Sequence, residues 1–284
     1  MKKGIFKFSL LAMLFASLAT FNSCEKEQSD DDTSVAADNF KAENESDRIW
    51  DAINSSAYEN SIYKVEDANF ALLPSCAEVF LDTIPDTVTG EKSITILFDT
   101  TSSQGCLCSG WDNKYRKGEI KATWTGQYRD AGTVITISTH NYYVSGDKYD
   151  YMKTVTNNGL NGAGHYTYGI NVSLANILFT DGTTMSWTSQ RNREWVEGQS
   201  TLTPLDDVYS ITGNAEGVSR AGASFTASIT DPLIIAVGCP YIKQGTIEIT
   251  PDGKPVRILD FGTGSCDSQA TVEINGVVFN IVLQ

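Results

Sequence analysis

Cys106 and Cys108 stand one residue apart, a spacing that can bring two thiolates to one metal ion. Zinc asks for four ligands drawn from Cys, His or carboxylate side chains. The two histidines, His140 and His165, are not spaced to complete the pair. No metal centre and no cofactor are therefore expected. Thiol redox catalysis calls for Cys-x-x-Cys, which this is not. Each histidine sits beside strand-like aromatics without a placed nucleophile or acid. Gly-x-Ser-x-Gly is absent, and no glycine-rich loop follows a strand and opens a helix to cradle a phosphate. Acid pairs such as Asp206-Asp207 occur, but glycoside cleavage needs two carboxyls at a set separation across a cleft. An acidic chain supplies such pairs by composition alone. The expectation is a protein that is not an enzyme.

A binding surface is the alternative chemistry. Over 184–195 a period of two puts Met185, Trp187, Ser189, Arg191, Arg193 and Trp195 on one face. Trp187, Arg191, Arg193 and Trp195 form a candidate ligand face, with arginines stacked on indoles or an aromatic platform offered to a sugar. Tyr149 with Tyr151, and Tyr166 with Tyr168, make similar same-face pairs. The commoner use of such stripes is sheet core and cross-strand pairing.

The elements that must carry these residues are strands. From about residue 69 onward, short stretches alternate apolar and polar residues and break at Gly, Asn and Asp. Strands are expected over 93–99, 118–125, 133–139, 148–156, 170–179, 184–193, 223–230, 245–250, 256–261 and 271–283. This predicts an all-β antiparallel meander of roughly 12–14 strands, built as a sandwich, a barrel or a long curved sheet. Asn275-Gly276, Asp181-Gly182 and Asp252-Gly253 predict hairpins, because these pairs tolerate positive φ at both central positions.

The N-terminus has a different texture. Lys2, Lys3 and Lys7 precede an apolar stretch from Phe8 to Phe21, too short for the ~20 helical residues that cross a bilayer. It ends at Asn22-Ser23-Cys24 and resembles a lipoprotein signal peptide over 1–23, cleaved before a lipidated Cys24. The acidic run that follows, Glu25 to Asp32, resembles the export signal that places lipoproteins of the Bacteroidota on the cell surface. The resemblance implies an outer-membrane, lipid-anchored protein, with the periplasmic face as the alternative. Residues 24–68 are expected to be an acidic tether, disordered over 24–45, with a short helix over 46–60 capped by Ser46 or Asp47. The chain carries 21 basic and 35 acidic residues, net −14. That balance excludes nucleic acid as a partner, since phosphate binding needs clustered Lys and Arg.

Export permits disulfides. A turn centred between Asp252 and Gly253 would set Cys239 opposite Cys266, predicting that bridge. Cys76, a turn, a strand and Cys106 repeat the same layout nearer the N-terminus. Two related hairpin modules are inferred, at about 70–140 and 235–284 within a β-domain over 69–284. By analogy Cys76 pairs with Cys106, or with Cys108 in its place.

Four stretches look familiar together: 118–135, Lys153-Thr-Val-Thr-Asn-Asn-Gly159, Arg193-Glu-Trp-Val-Glu-Gly198 and Gly245-Thr-Ile-Glu-Ile-Thr250. Over about 70–284 the chain resembles uncharacterised secreted lipoproteins of Bacteroidota. The resemblance implies the compartment and a β-fold and supplies no functional residues. The expected function is a non-enzymatic binding or structural module of the envelope, its partner a glycan or another envelope component. A β-shell carrier of an apolar or glycolipid ligand is the alternative, and a glycan-degrading enzyme comes third.

Overall fold

A computed structural model describes residues 30–59, 77–82, 84, 86–109, 112–201 and 204–283. The signal-like segment, Cys24 and Cys76 lie outside them. Residues Asp31–Gln284 make one compact unit. No helix among the described residues is long and apolar enough to cross a membrane.

The unit begins with helix α1, Ser34–Glu59, which contains neither Gly nor Pro. Ala37 N–H donates to Thr33 O, and the Asp32 carboxylate accepts from Ser34 N–H, so the entry is capped. Hydrogen bonds from Ser34 and the Lys254 ammonium hold the Asp32 carboxyl well below its usual range. The helix thus starts well before residue 46, and the tether expected over 24–45 does not hold beyond residue 33. Ser46 and Asp47, the expected caps, lie mid-helix and buried. Polarity that reads as solvation in the sequence is matched here by buried partners in the sheet.

Fourteen strands follow: β1 Ala77–Asp82, β2 Lys92–Phe98, β3 Cys106–Leu107, β4 Tyr115–Trp124, β5 Val134–Val144, β6 Asp147–Leu160 and β7 Tyr166–Leu178, then β8 Thr184–Glu197, β9 Val208–Val218, β10 Ser224–Ala236, β11 Gln244–Pro251, β12 Arg257–Thr263, β13 Gln269–Ile274 and β14 Val277–Val282. They form one open antiparallel meander in sequence order, except that β3 pairs only β4. The all-β class and the strand count are as the alternation predicts. The β-sheet curls about α1, which touches β2, β4, β8 and β11. Residues 42–50 are buried without a break, so every side of the helix faces protein. Phe40, Ile49, Trp50 and Ile53 meet Ile94, Phe98, Phe261 and their neighbours in one core.

Strand β9 escaped the sequence reading because Gly213 and Gly217 resemble turn signals. They serve close approach instead. A Cβ on Gly213 would lie 2.2 Å from Gln190 O, and one on Gly217 would lie 2.3 Å from Ser186 O, both on neighbouring β8.

The Asn275-Gly276 turn is a two-residue hairpin, with Ile274 paired to Val277 and both central residues at positive φ. The Asp181-Gly182 turn is longer. Phe179 and Thr183 close it, with Gly182 at φ 85°. Around Asp252-Gly253, Ile249 pairs with Arg257, one residue off the register expected for a centred turn. The Cys239–Cys266 disulfide nevertheless forms, just outside β11 and β12 and with Cα atoms 5.8 Å apart. Cys106 is disulfide-bonded and Cys108 is a free, buried thiol. Cys108 is therefore not the alternative partner in the first module.

Candidate ligand-binding surface

The face expected to meet ligand points inward. Trp187, Arg191, Arg193 and Trp195 are all buried against α1 and the loops at the end of the sheet. Trp187 Nε1–H donates to Asn39 Oδ1 at 3.0 Å. Arg191 grips Glu43 with two hydrogen bonds, at 3.0 and 2.5 Å, while its guanidinium lies 5.9 Å from the Trp187 ring centre. Arg193 lies 3.6 Å from Asp47 and stacks on Trp50 and Tyr209. Trp195 Nε1–H donates to Asp207 Oδ1 at 3.1 Å. The predicted indole–guanidinium contact exists, but as core. A period of two groups residues by face without saying which face is inside, and arginines on a face suggest solvent. Here they meet an acidic helix.

That helix turns its carboxylates in several directions. Asp38 takes Arg220 at 2.7 Å. Glu45 takes Arg116 at 3.3 Å and the Tyr142 hydroxyl at 2.7 Å. Lys41 pairs with Asp147 on β6, and Lys153 Nζ donates to Ser46 O at 3.0 Å. Glu43 and Asp47, four residues apart, share one helix face, while Glu45 lies about 200° round from Glu43. The first two pin the helix to β8 through Arg191 and Arg193, and Glu45 pins its other side to β4 through Arg116. Desolvation raises the Asp47 carboxyl and lowers the Lys153 ammonium toward neutrality, while each opposes the shift of the other.

Asp207 sits at one end of this interior. Burial pushes its carboxyl up to about 7, although Tyr209 and Trp195 donate to it. Between its unfolded value, 3.8, and about 7, the folded carboxyl keeps a proton that the unfolded chain releases. Stability from this group is thus full at low pH and falls as pH rises through that window. Asp207→Asn should remove the loss, making the variant more stable than wild type at pH 8 by on the order of 2 kcal/mol. At pH 4 the advantage should vanish. Urea midpoints at the two pH values check this.

The other sequence candidates remain scattered. His165 Nδ1 lies 2.7 Å from Glu194 Oε1 at the rim, and His140 contacts its chain neighbour Asn141 on β5. Burial raises the Cys108 thiol. No group of three metal-ligating side chains occurs among the described residues.

The outer face of β7–β11 carries a groove of about 630 Å³. One polar row crosses it in register, as Asn171, Gln190, Asn214, Ser228 and Glu248. A second row runs beside it as Thr188, Glu216, Thr226 and Thr250. Register shifts in β7 after Val172 and in β10 after Ile229 bend those strands. Among the described residues, the lining has no Lys, Arg or aromatic ring. No family model, curated protein or solved structure matches this chain. The groove must therefore be read from its chemistry. It offers hydroxyls and amides that both donate and accept, with two carboxylates that accept. Sequence reasoning missed it because its residues come from five strands and meet only through register.

Proposed function

We propose that this chain is a non-enzymatic binding module of the cell envelope, lipid-anchored through Cys24 at the outer membrane, that holds a neutral or amine-bearing glycan in the β7–β11 groove. The observation that carries this reading is the filling of the sheet's concave side by α1, which moves ligand binding to the outer face. It also counts against the carrier alternative, which needs that interior for a sheltered apolar ligand. Short hydroxyl and amide side chains in two rows suit a polyhydroxylated chain lying across the strands. The lipobox-like Cys24 and the resemblance to Bacteroidota lipoproteins support the location.

The test is a binding screen of the purified protein against envelope polysaccharides. Wild type should bind at least one neutral or amino-sugar polymer. Gln190→Ala with Asn214→Ala should weaken binding roughly tenfold or more through lost hydrogen bonds. Absence of binding across the panel, or binding indifferent to the double substitution, would overturn the groove assignment. In cell fractions, Cys24→Ala should move the protein out of the membrane pellet, and retention there would refute the anchor.

A further inference from the structure

Strand β14 is the last in the order of the described strands and so forms an edge of the sheet. Its single strand neighbour among the described residues is β13, so one side of its backbone has no strand partner among them. Exposed edges invite pairing with another chain, and natural proteins blunt them with charge, proline or bulges. β14 has none of these. Its sequence, Val-Val-Phe-Asn-Ile-Val, is uncharged, and its register with β13 is unbroken. The opposite edge differs, because β1 points Glu78 and Asp82 outward. In a chain of net charge −14 the neutral edge is the exception.

The side chains of β14 are also self-complementary about Asn280. Val278 and Val282 point outward and are 55% and 59% exposed, with Asn280 between them. Phe279 and Ile281 face the core and are only partly buried. An antiparallel copy centred on Asn280 sets Val278 against the partner's Val282, Asn280 against the partner's Asn280, and Phe279 against the partner's Ile281. Each residue meets its own kind on its own face, as a two-fold interface requires. Neutral meets neutral, where an acidic or basic strand would leave its charges without partners.

We infer that β14 pairs edge to edge with β14 of a second copy, in the register that places Asn280 on the two-fold axis. A strand of six residues buries less than the roughly 1,200 Å² of a standard stable interface. The dimer is therefore weak and depends on concentration.

The register makes the inference testable in the full chain. Asn280→Cys should give a covalent dimer under mild oxidation, because directly opposed residues across paired strands lie within disulfide reach. Thr271→Cys, on the outer face of β13, should not. Adding Val278→Lys and Val282→Lys to Asn280→Cys sets like charges opposite one another and should reduce the dimer roughly tenfold. Both valines are exposed, so the monomer should keep its fold. Three outcomes would each sink the proposal: no dimer, equal dimer yields from the two cysteine variants, or an adduct with a different protein.

Discussion

Arg116→Met should destabilise the protein by about 3–5 kcal/mol, the usual cost of removing one partner from a buried ion pair. Arg116 is fully buried on β4, and its partners among the described residues include three groups. It takes Asp112 with two hydrogen bonds at 2.7 and 2.8 Å, Glu45 on α1 at 3.3 Å and the Tyr142 hydroxyl at 2.9 Å. Methionine fills much of the same volume, so the loss reports charge rather than a void. Glu45 would keep the Tyr142 hydroxyl bond but lose its arginine, and Asp112 would lose both of its arginine bonds. Glu45→Gln is the informative companion. It keeps the shape and an acceptor for Tyr142, so it should cost clearly less than Arg116→Met. Urea denaturation with both variants checks the order. A loss below about 1 kcal/mol for Arg116→Met would mean that α1 is not held by these charges.

Trp187→Ala should cost about 3–5 kcal/mol, as expected for removing a large aromatic from a packed core. Trp187 is 1% exposed, and its indole N–H donates to Asn39 on α1. The sequence alone allows the opposite result, with a stable protein that loses ligand. The two are separated by measuring both quantities on one sample. Stability should fall while glycan affinity of the folded fraction stays within about twofold of wild type, because the groove lies on the other face of β8. Unchanged stability with lost binding would restore Trp187 as a ligand contact.

These two positions show what was legible. Alternation along 184–195 placed Trp187, Arg191, Arg193 and Trp195 together, and the structure keeps them together. It could not tell inside from outside, because the answer depends on the charge of a helix more than a hundred residues away. The Asn275-Gly276 hairpin was legible because two residues determine its backbone. The Cys239–Cys266 bridge came from a register that is off by one, so its presence supports the hairpin layout more than the arithmetic. Helix α1 was the main loss. A stretch such as Ala42-Glu-Asn-Glu-Ser-Asp-Arg48 has no apolar stripe, and propensity alone is a weak guide. Its partners are Arg116, Lys153, Arg191, Arg193 and Arg220, and those contacts exist only in three dimensions.

The position of α1 in the chain has a consequence for how the molecule assembles. The innermost element precedes every described strand in the chain, and its contacts reach far ahead. Asn39 waits for Trp187, 148 residues away, and Asp38 for Arg220, 182 away, while the carbonyl of Asp32, just ahead of the helix, waits for Arg257, 225 away. An apolar helix in that position would be a sticky intermediate through the whole delay. A hydrophilic one stays soluble, like a mandrel left standing until the sheet is wound round it. Such long-range pairings make for slow folding. On that view, the acids that make the helix hard to recognise as a core also let it serve as one.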